Sequence, residues 1–300
     1  MKKILCVISC LLFSVCSVDA LSINEDGSRI NALGATITEE QYNVLSEEYS
    51  DRNIDNMDQK IIDVITSPTA TKHSDKTYMI TTYELDFRGN VVDKVSMIAT
   101  KEQAEAVAQN DKLRVMPNGT LQDMTNVPEI QTYGYVNSNY YSTESKWVAI
   151  DYWKESDYVI KLTAGWYSLP RYRDYDIMAV RWNNSATVDA FYGVQESDAD
   201  YTTYSLDGTN MKRTNYGLGV SMNLHNDATD YIELEMMVYS PNYFGANIFG
   251  TYQHANTSNT NLAASKSYSF GSSGLGGVLV FSNSTYASFY DGMNGVKYQG

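Results

Sequence analysis

Alternation of apolar and polar residues is the sequence feature that most constrains the fold of this chain. Apolar side chains occupy every second position from Leu218 to Leu224, and the pattern returns from Ile232 to Val238 after a short polar break. A period of two residues predicts β-strands with one buried face and one exposed face. Because a turn-like segment separates the two runs, we predict an antiparallel hairpin here, at the centre of a sheet.

Similar short runs recur through the C-terminal half of the chain and predict a mainly β fold. The predicted strands are 132–136, 146–152, 157–165, 175–182, 187–194, 202–206, 216–224, 231–239, 248–254, 265–270 and 276–282. Turn residues separate them at about the 8–12 residue spacing of sandwiches and barrels. We therefore predict an antiparallel, jelly-roll-like β-sandwich over residues 130–300, with a helix at about 285–293.

The region before the sandwich has a mixed pattern, which predicts a small α+β unit over residues 37–112. Thr38 and Gln41 have the spacing of a capping box, so a helix is expected over about 39–49. Further predicted elements are a helix over about 54–66, a hairpin over 77–99 and a helix over 101–110. Residues 21–36 are predicted to be a flexible leader, and residues 113–129 a linker.

The first residues have the pattern of a secretory signal peptide. Lys2 and Lys3 precede an apolar run over 4–15, and Val18-Asp19-Ala20 has the form of a cleavage site. The apolar run is too short to anchor the chain in a bilayer. We predict cleavage after Ala20 and secretion of the mature chain. All three cysteines lie in this segment, which leaves the mature chain without disulfides or cysteine metal ligands: Cys6, Cys10 and Cys16.

Charge and composition narrow the classes of partner. The chain has a formal net charge of -14, which disfavours nucleic acids and anionic membrane surfaces because both require basic patches. It also has 25 tyrosines, a residue that suits half-buried strands and stacks on ligands. We therefore expect a soluble extracellular protein with no nucleic-acid partner and no transmembrane segment.

Several short segments of the chain resemble a family of uncharacterised secreted proteins of Gram-positive bacteria. The segments are Ile37–Tyr42, Leu169–Asp176, Tyr252–Ala255, Gly274–Val278 and Tyr290–Val296. The resemblance covers nearly the whole chain after residue 20, although the run Leu45–Ser50 departs from the family's pattern. It implies secretion and a two-part layout, and it brings no established activity.

Paired carboxylates are the strongest catalytic candidate. Glu233 and Glu235 project from one face of a predicted strand, about 7 Å apart along the backbone. Glycoside hydrolases with a jelly-roll sheet use such a pair as acid and nucleophile or base. The simpler interpretation is the exposed face of a half-buried strand.

Other catalytic and metal patterns are weaker. The chain has no Gly-x-Ser-x-Gly elbow and no His-Glu-x-x-His motif, so structural roles are expected for its three histidines: His73, His225 and His254. Oxygen-rich turns at 198–200, 207–208 and 226–230 are compatible with bound calcium, but turn chemistry also explains them. We predict no cofactor and no metal site, with calcium as the alternative.

Aromatic residues crowd the start of the predicted sandwich and are the candidate ligand-binding residues. The six selected positions are Tyr133, Tyr135, Trp147, Trp153, Trp166 and Tyr172. Exposed rings on a rigid sheet stack on sugars or anchor protein partners. Trp147 and Trp153 are six residues apart and therefore point to one face of an unbroken strand. The competing interpretation places many of these rings in the core.

These observations favour a secreted, non-enzymatic protein that binds an extracellular surface ligand, with a glycan or a cell-wall polymer as the preferred ligand. The first alternative is a glycoside hydrolase that uses Glu233 and Glu235. The second is a structural or protein-interaction module whose partner is another extracellular protein. The first hypothesis requires exposed aromatic side chains, and the hydrolase requires both carboxylates in one groove.

Overall fold

The computed structural model describes residues 21–126, 140–271 and 278–299. The chain divides into two compact units, Met1–Asn56 and Met57–Gly300. The predicted signal peptide lies outside the described residues, as do the predicted strand 132–136 and the candidate residues Tyr133 and Tyr135.

The N-terminal unit combines a small antiparallel sheet with two short helices. Its elements are β1 (Ser22–Ile23), β2 (Arg29–Ile30), β3 (Thr36–Ile37), α1 (Glu39–Leu45) and α2 (Asp51–Asp55). The predicted capping box is present: the Thr38 hydroxyl accepts from the Gln41 amide at 3.2 Å, and the Gln41 side chain accepts from the Thr38 amide at 3.0 Å. The segment predicted as a flexible leader instead contains β1, β2 and the start of β3.

The second unit contains the remaining elements. They are α3 (Gln59–Ile65), β4 (Thr71–Leu85), β5 (Val91–Ala99), α4 (Lys101–Gln109), β6 (Leu113–Val115), β7 (Leu121–Asp123), β8 (Tyr140–Lys154), β9 (Tyr158–Trp166), β10 (Tyr175–Trp182), β11 (Ala190–Ser197), β12 (Tyr201–Tyr204), β13 (Met211–Thr214), β14 (Gly217–Asn223), β15 (Ile232–Ser240), β16 (Asn247–Ala255), α5 (Leu262–Ser265), β17 (Tyr268–Phe270), β18 (Leu279–Phe281), α6 (Ser284–Ser288) and β19 (Tyr290–Gln299).

Two antiparallel sheets form the sandwich. One has seven strands in the order β12-β11-β15-β9-β8-β4-β5, and the other has five in the order β13-β14-β10-β16-β19. Apolar side chains of β8, β9 and β15 face those of β10, β14 and β16 and make one continuous core. The predicted mainly β, antiparallel sandwich is confirmed. Burial of this core supplies the main driving force for folding, since stabilisation scales with the apolar area removed from water.

The predicted central hairpin is wrong, although both of its strands exist. β14 pairs with β10 and β13 in the five-stranded sheet, whereas β15 pairs with β9 and β11 in the seven-stranded sheet. The polar segment between them therefore crosses from one sheet to the other. Alternation identifies the buried face of a strand but not its pairing partner, and the apolar faces of β14 and β15 both contribute to the core between the sheets.

The predicted division at residues 112 and 130 differs from the structure. The hairpin β4–β5 belongs to the seven-stranded sheet, because β4 pairs with β8 along its whole length. The segment predicted as a linker contains the small hairpin β6–β7. Hydrophobic patterning located β4 and β5, but it carries no information about which sheet edge a hairpin joins.

Two predicted helices also differ from the structure. The predicted helix over 54–66 is interrupted, because Asp58 caps a new helix by accepting from the Lys60 amide at 2.9 Å. The predicted C-terminal helix is only α6, after which the chain becomes β19 and pairs with β16. Among the described residues, no helix has the length and apolar character required to cross a membrane.

Candidate functional site

A cleft of about 260 Å³ lies beside the hairpin β4–β5. Thr82 and Glu84 of β4 and Asp93 of β5 line one side, and residues of β6, of the turn that follows it and Met124 after β7 line the other. These β4 residues alternate with Met79, which faces the sandwich core, so the cleft opens on the opposite face of the seven-stranded sheet. We call this feature the β4–β5 cleft.

Cross-strand register brings the polar residues of the cleft together. Glu84 lies opposite Asp93 on one side and opposite Tyr141 on the other. The Thr82 hydroxyl accepts from the Val115 amide at 2.8 Å, which ties β6 to the sheet. The side chain that sequence reasoning missed is Arg114, because it lies in the segment predicted as a linker.

An aromatic ring and a guanidinium group form one wall of the cleft. The Arg114 guanidinium carbon lies 4.0 Å from the centre of the Tyr141 ring, within the range of a cation–π contact. Tyr141 is 42% exposed, so a ligand can reach this ring. Glu84 and Asp93 add two hydrogen-bond acceptors, and Met116 and Met124 add apolar surface. This combination suits a ligand with both hydroxyl groups and an apolar face.

The four predicted aromatic residues that the structure describes do not form one surface. Trp147 and Trp153 lie on the same face of β8, but Trp153 is buried and the Trp147 ring is covered by the Lys76 ammonium at 3.6 Å. Trp166 points into the sandwich and donates to the Tyr252 hydroxyl at 3.2 Å. Tyr172 is half-buried and donates to the Gly89 carbonyl at 2.5 Å.

The two candidate carboxylates have different environments. Glu235 is buried, with its Oε2 atom 3.7 Å from the Lys161 ammonium. Glu233 is exposed and lies opposite Glu196 in the sheet. Partial desolvation, followed by the charge of Glu196, raises the pKa of Glu233 above its ordinary value. Strands β9 and β8 separate these glutamates from β4, so they are not part of the β4–β5 cleft.

A buried polar centre surrounds Asp176, which is fully inaccessible to solvent. Its carboxylate accepts from the Tyr252 hydroxyl and from the Ala255 amide at 2.8 Å, and it lies 2.9 Å from His254 Nδ1. The other ring nitrogen of His254 lies 3.8 Å from Glu144 Oε2. Burial raises the pKa of Glu144, although the charge of His254 opposes this change.

A second buried centre joins Lys146 of β8 to Asp291 of β19. The Lys146 ammonium donates to Asp291 Oδ2 at 2.9 Å and to its backbone carbonyl at 2.9 Å. Asp291 Oδ2 also accepts from the Thr81 hydroxyl at 2.7 Å and from the Tyr83 hydroxyl at 3.2 Å. Sequence reasoning missed both centres. The only available signal was charge at inward-facing positions, as at Lys146 next to the core residue Val148 in the same alternating strand.

His225 has a structural environment. Its ring nitrogens lie 2.9 Å from the Ser197 hydroxyl and 2.9 Å from the Thr202 hydroxyl. Burial lowers the pKa of His225 below its ordinary value of 6.5, although the charge of Asp200 opposes this change. The neutral imidazole is therefore the form that the fold favours.

This environment predicts a pH dependence of stability. As the pH falls below about 6.5, the unfolded chain protonates His225 before the folded protein does, so the His225 contribution to stability decreases. We expect the free energy of unfolding to fall less between pH 7 and pH 5 in His225→Gln than in the natural chain, as measured by urea titration. Equal slopes in the two proteins would contradict this prediction.

Two of the oxygen-rich turns, at 198–200 and 226–230, are hydrogen-bonded to each other. Asp198 accepts from the Thr229 amide and hydroxyl and from the Asp230 amide, and these bonds, led by that of the Thr229 hydroxyl, lower its pKa. Within residues 21–126, 140–271 and 278–299, no group of three or more His, Cys, Asp or Glu side chains is arranged to hold a metal ion.

No protein-family model matches the chain, and no curated protein matches it. One similar solved structure is titled "BspA_C_WT"; it is 6% identical in sequence, with a TM-score of 0.21, over 62% of this chain and 88% of that chain. A similarity of this size does not support an inference about fold or function.

Proposed function

We propose that this protein is an extracellular, non-catalytic binding module that holds a glycan or cell-wall polysaccharide segment in the β4–β5 cleft. The observation that carries the proposal is the lining of the cleft. It places the accessible ring of Tyr141, stacked with Arg114, beside the carboxylates of Glu84 and Asp93. Rings pack against the apolar faces of sugars, while carboxylates and guanidinium groups hydrogen-bond their hydroxyls.

The size and charge of the cleft also favour this ligand class. A volume of about 260 Å³ accommodates a small part of a polymer rather than a large folded partner. The acidic chain disfavours polyanions, and the cleft itself balances two carboxylates with Lys94 and Arg114, which is compatible with a neutral sugar. The site proposed here therefore differs from the aromatic site predicted from the sequence, because it combines one accessible ring with polar side chains in a cleft.

The test is retention of the purified protein on insoluble polysaccharides and cell walls, with binding isotherms for each material that retains it. We expect Tyr141→Ala to weaken binding roughly tenfold to thirtyfold, because truncating an aromatic contact residue costs on the order of 2 kcal/mol. Tyr140→Ala is the matched control, since Tyr140 is exposed but points to the other face of the strand. Equal losses in both variants, or none, would contradict the proposed site.

One observation keeps the hydrolase as a second candidate. The raised pKa of Glu233 is a property of a general acid, and Glu235 lies two residues further along the strand with its Oε2 atom 3.7 Å from the Lys161 ammonium. The same tubes can be assayed for released reducing sugar. Release that is abolished by Glu233→Gln but unaffected by Tyr141→Ala would favour this candidate over the binding module.

A further inference from the structure

The buried pair of Lys146 and Asp291 connects the two sheets of the sandwich. Lys146 lies in the seven-stranded sheet and Asp291 lies in the edge strand of the five-stranded sheet. Their side chains are only 2% and 6% exposed, and the Lys146 nitrogen is 2.9 Å from Asp291 Oδ2. An amine and a carboxyl group are therefore held in contact where bulk water is excluded. Because the fold already holds the two groups together, their reaction does not lose the translational and rotational entropy that a bimolecular reaction would lose.

We propose that Lys146 and Asp291 form an intramolecular amide bond, which covalently joins β8 to β19. The site is a self-modification site, and its two partners are both within this chain. The proposal is independent of the ligand-binding function, because it concerns the sandwich core rather than the cleft.

The reaction is a condensation that needs no co-reactant. A proton passes from the Lys146 ammonium to the Asp291 carboxylate along their hydrogen bond, giving a neutral amine and a carboxylic acid. The amine nitrogen then bonds to Asp291 Cγ, and a second proton moves from nitrogen to the departing hydroxyl. The C–O bond breaks and one water molecule leaves. The nitrogen keeps one hydrogen, and the net charge of the pair is zero before and after.

The surroundings of Asp291 fit the two roles of its oxygens. Oδ2 receives the proton from Lys146 and also accepts from the hydroxyls of Thr81 and Tyr83, so Oδ2 is the oxygen that leaves as water. Oδ1 lies 3.4 Å from the Ser96 hydroxyl and 3.8 Å from the Lys94 ammonium, which can stabilise the negative charge that develops there, so Oδ1 becomes the amide oxygen. Burial alone would raise the pKa of Asp291, but the charges of Lys146 and Lys94 lower it, so the unreacted state is an ion pair.

Glu144 is a buried carboxyl group that interacts electrostatically with Lys146 and Asp291. It precedes Lys146 by two residues, so both side chains project from the same face of β8. Both are buried, and desolvation favours the protonated form of Glu144. A buried carboxylic acid at this position can donate and recover a proton without the help of solvent.

A bond at this position would serve a chain that has no cysteine after Cys16. It would close a loop that includes most strands of both sheets, and cross-links across long loops restrict the unfolded chain most strongly. We expect the linked protein to melt roughly 10 °C above an unlinked but otherwise folded variant.

The experiment is intact-mass spectrometry of the full purified chain under denaturing conditions, followed by peptide mapping. The expected mass is lower than that of the sequence by one water molecule. The map should contain a branched peptide that joins the Lys146 and Asp291 segments, with no tryptic cleavage after Lys146. A cyclic imide at Asp291-Gly292 would have the same mass, so the branched peptide is the decisive observation.

Three variants complete the test. Lys146→Arg retains a cation next to Asp291 but cannot form the amide, so it should have the full sequence mass. Lys161→Arg alters another lysine that lies close to carboxylates, and it should keep the mass deficit. Glu144→Gln should slow the appearance of the branched peptide. A full sequence mass in the folded natural chain after prolonged incubation would overturn the proposal, as would a deficit that persists in Lys146→Arg.

Discussion

Replacing Asp291 with alanine is expected to lower the free energy of unfolding by about 3–5 kcal/mol. Lys146 is almost completely buried, and the variant would leave its ammonium group without the carboxylate that neutralises it. Thr81 and Tyr83 would each lose an acceptor as well. Leaving one partner of a buried pair uncompensated costs far more than the pair contributes, because the desolvation of the remaining charge is no longer offset.

Chemical denaturation at pH 7 measures this effect. The double variant Lys146→Met/Asp291→Ala should recover part of the loss, since it removes both charges from the core. Asp189→Ala is the control, because the Lys60–Asp189 pair is about half exposed and should contribute little. A loss in Asp291→Ala no larger than that in Asp189→Ala would show that the buried pair is dispensable. Mass spectrometry separates the loss of the ion pair from the loss of an amide.

Replacing Asp176 with alanine is expected to have a similarly large effect, again about 3–5 kcal/mol. The Asp176 carboxylate is fully buried and accepts from three groups on β16: the Tyr252 hydroxyl, the His254 ring and the Ala255 amide. Without it, these donors remain in a region that water does not reach. An unsatisfied buried donor costs its desolvation energy, and three of them act together.

Thermal and urea unfolding would measure the change, with two comparisons. Asp176→Asn keeps the shape and one acceptor oxygen, so its loss should be smaller than that of Asp176→Ala. Asp174→Ala removes a carboxylate that is only half-buried, just before the start of β10, and should cost much less. If Asp176→Ala and Asp174→Ala were equally stable, the proposed structural role of the Asp176 centre would be incorrect.

The two buried centres and the β4–β5 cleft show different limits of sequence reasoning. Lys146 and Asp291 are far apart in the chain and belong to different sheets, so no local pattern relates them. Arg114 contributes to the cleft from a segment whose proline and glycine content predicted a linker. Trp147 and Trp153 were placed on one face of β8, but residues from other elements decided whether their rings were accessible.

Local rules succeeded where a short-range interaction determines the structure. The Thr38–Gln41 capping box starts α1 because both of its hydrogen bonds form within one helical turn. Alternation located β10 at its observed bounds and assigned the inward faces of β14 and β15. Alternation with a period of two shows which face of a strand is buried. The sequence can predict this face because it depends only on the order of consecutive residues.

The sequence by itself therefore determined the antiparallel β class, the positions of most strands and their buried faces. Only the tertiary structure decided which strands pair, since β14 and β15 have equivalent patterns but join opposite sheets. The tertiary structure also decided which charged side chains are buried together and which aromatic rings are exposed. These outcomes depend on contacts between residues distant in the chain, and the energies of such contacts are not encoded in any local periodicity.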